Sequence, residues 1–150
     1  MKKTLKVLLA LFVLSAILFT VSCGNQAEAV TLTVKVVDDT ADGAVLLETS
    51  VTLNEAEPTV MSAFISACEE NHLSYTLEME DTLVASVEDK YDSLYMPEDL
   101  KDEADENTYW WYYTLNGEKP SAHDTNGGAA VKLVENGDEI VWHYSVYVEE

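Results

Sequence analysis

Between positions 109 and 147 the chain gathers all three of its tryptophans (Trp110, Trp111, Trp142) and five of its eight tyrosines (Tyr109, Tyr112, Tyr113, Tyr144, Tyr147). Packing alone spreads large aromatics through a domain, so their concentration on two neighbouring segments predicts a rigid amphipathic platform that stacks on a flat ligand. Ring faces supply stacking, tyrosine hydroxyls supply hydrogen bonds, and the amide of Asn116 adds a further polar group at the end of the first segment. His143 sits within the cluster, and His123 lies in the loop between the segments. A neutral imidazole at either place can ligate a transition metal. A half-exposed cross-strand partner is the plainer reading of His143, and turn formation is the plainer reading of Asn116.

Catalytic chemistry finds little footing. The sequence contains no Gly-x-Ser-x-Gly, His-Glu-x-x-His or Cys-x-x-Cys, and no pair among its 28 acids stands out as an acid-base couple. The reading is therefore not an enzyme and no catalytic residue. Residues 38–43 resemble half a calcium loop, but Thr40 breaks the ligand spacing and Thr49 stands where a bidentate glutamate belongs. The acidic run from Asp92 to Glu106 reads as a solvated charged connection, so no metal site is assigned. Cys68 lies on an apolar helical stripe, as a buried structural thiol does.

The elements that must position the aromatics follow from periodicity. Residues 31–37 and 45–53 alternate, with Leu32, Val34 and Val36 on one side of the first strand and Val45, Leu47, Val51 and Leu53 on one side of the second. The turn Asp38-Asp39-Thr40-Ala41-Asp42-Gly43 joins them. After Pro58 the period becomes helical: Thr59 caps a helix whose face is Val60, Ala63, Phe64, Ala67 and Cys68, ending near His72. Short strands follow at 75–79 and 82–87, then an irregular connection at 90–107 with a helical turn after Pro97. A strand at 109–115 ends in Asn116-Gly117, and a last strand runs from 139 to 148 after Asn136-Gly137. Strand hairpins around a single helix predict a two-layer α+β domain with a mixed or antiparallel sheet packed on that helix.

Alternation also sorts the aromatics. Ile140, Trp142, Tyr144, Val146 and Val148, with Trp111, Tyr113 and Leu115, face the helix. Trp110, Tyr112, His143 and Tyr147 face away, and with Asn116 they form the expected ligand-binding set.

The first residues read as an address. Lys2, Lys3 and Lys6 precede an apolar run at 7–19 that is too short to span a bilayer of about 30 Å. Thr20-Val21-Ser22-Cys23 then resembles a bacterial lipoprotein cleavage box, with Thr20 in place of the usual leucine. The resemblance implies a signal peptide over 1–22, a lipidated Cys23 with a tether over 23–29, and one domain over 30–150. An ordinary secretory signal is the alternative. Lipid chains would hold the protein on the outer face of a bacterial membrane. Past the signal the chain carries 28 acids against five lysines and no arginine, a balance of −23. Nucleic acid and anionic headgroups are poor partners for it, because phosphate contacts need Lys and Arg.

The segments W-Y-Y-T-L-N-G (111–117) and N-G-D-E-I-V-W-H-Y (136–144) together resemble the signature of the transcobalamin-like C-terminal domain family. The order of upstream elements fits as well, over roughly residues 30–148. The resemblance implies a β-grasp-like fold and a surface lipoprotein that captures a corrinoid (cobalamin or a relative) and passes it to a membrane transporter. No resident cofactor is implied, only the corrinoid as ligand. The chain departs from the animal carriers in lacking a companion helical domain and in the acidity of the segment before Tyr109. A cell-surface module binding a protein or glycan through the same aromatic strip is the rival expectation.

Overall fold

Strict alternation makes the first two strands, β1 (Val30–Asp38) and β2 (Ala44–Leu53), an antiparallel hairpin with Leu32, Val34, Val36, Val51 and Leu53 buried on one face. The structure, a computed structural model, describes residues 28–101, 107–120 and 128–148. The hairpin turn is a short 3₁₀ segment at Asp39–Ala41. Asp38 accepts from the Thr40 amide and hydroxyl, and Asp42 and Gly43 close the turn at φ 55° and 74°. One expectation fails here. Val45 was placed with the inward set, yet it is 57% exposed. A bulge between Val36 and Val37 leaves Leu46 without a partner and sets Val45 opposite Val37, reversing the alternation beyond it.

The helix α1 (Val60–Glu70) starts where the sequence predicts, with a reciprocal capping box between Thr59 and Ser62. Two further amides of its first turn, on Val60 and Met61, donate to the carbonyls of Lys132 and Ala129. The 128–134 segment is therefore a strap across the helix N-terminus rather than a sheet strand, and it meets Thr59 through a single bridge at Leu133. Val60, Met61, Ala63, Phe64, Ala67 and Cys68 are buried. Burial pushes the Cys68 thiol up to about 12, which suits an inert packing residue.

The remaining elements are β3 (Tyr75–Glu78), β4 (Leu83–Val87), β5 (Lys90–Tyr91), the single helical turn α2 (Glu98–Lys101), β6 (Tyr109–Leu115) and β7 (Glu139–Val146). The main sheet has the order β2-β1-β7-β6, with β1 and β7 parallel at its centre and the other pairs antiparallel. Strands β3-β4-β5 form a second, smaller sheet. Sheet over helix, with first and last strands parallel in the middle, is the two-layer α+β, β-grasp-like arrangement predicted. The core joins the helix to both sheets through Phe64, whose ring meets Trp142 at 4.9 Å and Tyr75 at 5.6 Å.

Two local expectations change. The connection from Lys90 is not wholly irregular. Its first residues form β5 by pairing back on β4, Val87 with Lys90 and Ser86 with Tyr91. They are held there by the Lys90 ion pair to the buried Asp38 at 3.3 Å and by the Tyr91 carbonyl accepting from the Tyr144 hydroxyl. The last strand stops at Val146, and Val148 is 74% exposed instead of packing inward. No helix among the described residues is long and apolar enough to cross a membrane.

Candidate functional site on the outer face of β6 and β7

Successive residues of β6 and β7 point to opposite faces, and the two faces differ in what covers them. Trp111, Tyr113, Trp142 and Tyr144 are buried against the helix and the small sheet, as predicted. Trp110, Tyr112 and His143 lie on the face turned away from the helix and are only partly buried. Tyr147 follows the strand, but its amide still donates to the Thr108 carbonyl at 2.7 Å, which holds it beside Trp110. The structure thus brings four of the five predicted ligand residues into one strip. Tyr112 stacks on His143 at 4.7 Å with planes 6° apart, Trp110 leans on Tyr112 at 5.0 Å, and Tyr147 meets Trp110 edge-on at 5.6 Å. Tyr147 is the most open of them, at 49%. Trp110 Nε1 is shielded from solvent and has no hydrogen-bond partner among the described residues.

The fifth residue is used elsewhere. Asn116 sits at φ 52° in a two-residue turn with Gly117 at 79°. Its Nδ2 donates to Asp138 at 2.8 Å, while its Oδ1 accepts from the Glu139 amide at 2.9 Å. Asn136 in turn accepts from the Thr31 amide, and Gly137 donates to the Thr31 carbonyl. The two Asn-Gly turns therefore form one clamp that ties β6, β7 and the start of β1 together. The Asn116 amide is committed to that clamp, so turn formation explains it fully.

His143 is likewise partnered on both ring nitrogens. Nδ1 lies 3.1 Å from Asp39 Oδ2, and Nε2 lies 3.4 Å from the Thr114 hydroxyl. Metal ligation would have to break one of these contacts, so the cross-strand reading is the one the geometry favours. Asp39 also accepts from the Tyr112 hydroxyl at 3.4 Å. Burial, then the Asp39 charge and hydrogen bond, hold the Tyr112 phenol above its ordinary value.

Two members of the site were not foreseen from sequence: Asp39 and Lys119. The Lys119 ammonium lies over the Tyr112 ring at 4.0 Å and the Trp110 ring at 4.8 Å. The signal was present in the turn. With Asn116 and Gly117 as the two turn residues, Glu118 returns opposite Leu115. Lys119 then falls opposite Thr114, on the same face as Tyr112.

Cys23, His123, Asp102, Glu103, Asp105 and Glu106 lie outside the described residues, as does the whole expected signal. Among the described residues no group of three or more His, Cys, Asp or Glu side chains is placed to hold a metal ion. An open groove of about 670 Å³ lies at the opposite end of β1 between Val30, Pro58 and Leu133, with Glu55, Glu57 and Glu135 among its walls. None of the strip residues lines it.

No family model and no curated protein matches this sequence. Among solved structures, one from Ruminococcus gnavus, described as "a putative metal binding protein", is similar at a TM-score of 0.47. The two share 16% identity over 79% of this chain and 99% of the other.

Proposed function

We propose that this protein is a membrane-anchored extracellular binding lipoprotein that captures a corrinoid, cobalamin or a relative, on the outer face of β6 and β7 and hands it to a membrane transporter. The observation that supports it most is the continuous ring-on-ring strip of Trp110, Tyr112, His143 and Tyr147 on a face the helix does not cover. Flat, rigid side chains lose little conformational entropy on binding and offer large contact area to a planar macrocycle. The sequence resemblance described above points to the same ligand class. The ligand set narrows to Trp110, Tyr112 and Tyr147, with His143 held as a supporting ring by Asp39 and Thr114. Anchoring is through Cys23, and the role is binding rather than catalysis.

Calorimetry of the full chain in mild detergent with cobalamin and cobinamide tests this. Saturable heat below millimolar concentration, weakened more than about tenfold by Trp110→Ala, is the expected result. No heat with either corrinoid up to millimolar concentration ends the assignment. Glycan or protein capture by the same strip would then be the surviving reading.

A further inference from the structure

The outer face already holds a cation. Lys35, Lys90 and Lys101 each place their ammonium on a carboxylate. Lys119 and Lys132 do not, and of these Lys119 has its nitrogen over the faces of Tyr112 and Trp110 at 4.0 and 4.8 Å, with no carboxylate within ion-pair distance among the described residues. Tyr147 stands edge-on to Trp110 at 5.6 Å and adds a third ring. The Asp39 carboxylate, 3.4 Å from the Tyr112 hydroxyl, places negative charge at the edge of the platform.

We propose that the Trp110–Tyr112 face is an alkylammonium-binding site whose resting occupant is Lys119, and that a ligand bearing a quaternary or protonated amine enters by displacing that side chain. The inference rests on the outer face being the ligand face. Electron-rich ring faces attract cations, and indole attracts them best. A quaternary ammonium gives up less hydration than the compact lysine ammonium, so it competes well for the same place. The strongly acidic chain, at −20 overall, raises the local concentration of any cation. Lys119 is tethered three residues past Asn116, so its effective concentration is high, and removing it should unmask the site.

The probes are choline, tetramethylammonium and the neutral choline isostere 3,3-dimethylbutanol, titrated by calorimetry into the full chain in detergent. Choline and tetramethylammonium should bind and the neutral isostere should not. Lys119→Ser should tighten choline binding by about threefold or more, the loss of a tethered competitor. Trp110→Ala should abolish it. Equal binding of the neutral isostere, no ammonium binding by Lys119→Ser, or unchanged affinity in that surface variant each overturns the proposal. A parallel cobalamin titration separates the two readings. Cobalamin binding without ammonium binding sinks only this inference. Ammonium binding without cobalamin binding supports it and removes the corrinoid assignment, and silence with both removes the ligand face itself.

Discussion

The two faces of the β6–β7 ribbon carry the same kinds of side chain in two different roles. On the inner face Trp111 lies 5.1 Å from Tyr144 and Tyr113 lies 5.4 Å from Trp142, distances no different from those between Trp110, Tyr112 and His143 outside. What differs is the third dimension. The inner rings are closed off by Phe64 and the small sheet, so their energy goes into folding. The outer rings are only partly buried, and what lies over their faces is the Lys119 ammonium, a contact that a ligand can replace, with Asp39 at the ring edge. Ring clustering alone therefore does not identify a binding face; what lies over the rings does.

The largest expected effects test that division directly. Trp142→Ala should cost about 3–5 kcal/mol in urea denaturation, because it empties a closed site between Phe64 and Tyr113. Trp110→Ala should cost about 1 kcal/mol, since water can fill the space it leaves. Equal losses would show that the outer strip is a second core and not a ligand surface. Trp142→Phe should lose much less than Trp142→Ala, because the buried Trp142 Nε1 has no hydrogen-bond partner to forfeit among the described residues.

Charges divide in the same way. Asp38 is 2% exposed and meets the Lys90 ammonium at 3.3 Å, whereas Lys35 bridges Glu48 and Glu139 on the open face. Lys90→Met should cost about 1–3 kcal/mol by leaving a buried carboxylate without its cation. Lys35→Ala should change the unfolding midpoint less than that, and added salt should reduce its effect further. A larger loss from Lys35 would reverse the ranking of the two faces.

Much of this fold was legible in the sequence, because its signals are local. Alternation gave the hairpin and both faces of β6 and β7, and Pro58-Thr59 gave the helix start. The misses carry no local mark. The Val36–Val37 bulge that turns Val45 outward has no Gly or Pro to mark it. Strand β5 folds back on β4 through a tight turn at Glu88-Asp89 that has no Gly or Asn to mark it. Lys90 and Tyr91 are further held by Asp38 and Tyr144, residues more than fifty positions away in each case. The motif residues that carry the family resemblance, Asn116 and Asn136-Gly137-Asp138, turn out to clamp strands to one another. They report fold. The candidate ligand face is flanked by Asp39 and Lys119, which lie outside the two family motifs. The Asn116-Gly117 turn could have placed Lys119, whereas only the folded hairpin brings Asp39 to His143 and Tyr112.

The smallest expected effect concerns the carboxylates on either side of the ribbon. Burial holds the Asp92 carboxyl above its ordinary value, against the lowering influence of the Leu94 and Trp111 amides. A carboxyl raised in the folded state binds its proton more tightly there than in the unfolded chain. Its contribution to stability is therefore greatest at acid pH and declines as pH rises from the ordinary aspartate value through the raised one, remaining unfavourable above it. Asp92→Asn removes that cost at neutral pH and keeps an oxygen for the Leu94 amide, which now donates to Asp92 Oδ1 at 2.9 Å, but it weakens the acceptor that faces the Trp111 amide, which keeps the gain small. The variant should match or slightly exceed the parent in thermal midpoint at pH 7, and lose that margin near pH 4. Asp39→Asn, on the outer face, should give no such gain, because Asp39 accepts from Tyr112 and partners His143. A clear loss from Asp92→Asn at pH 7 would mean that the Leu94 and Trp111 amides satisfy its charge after all.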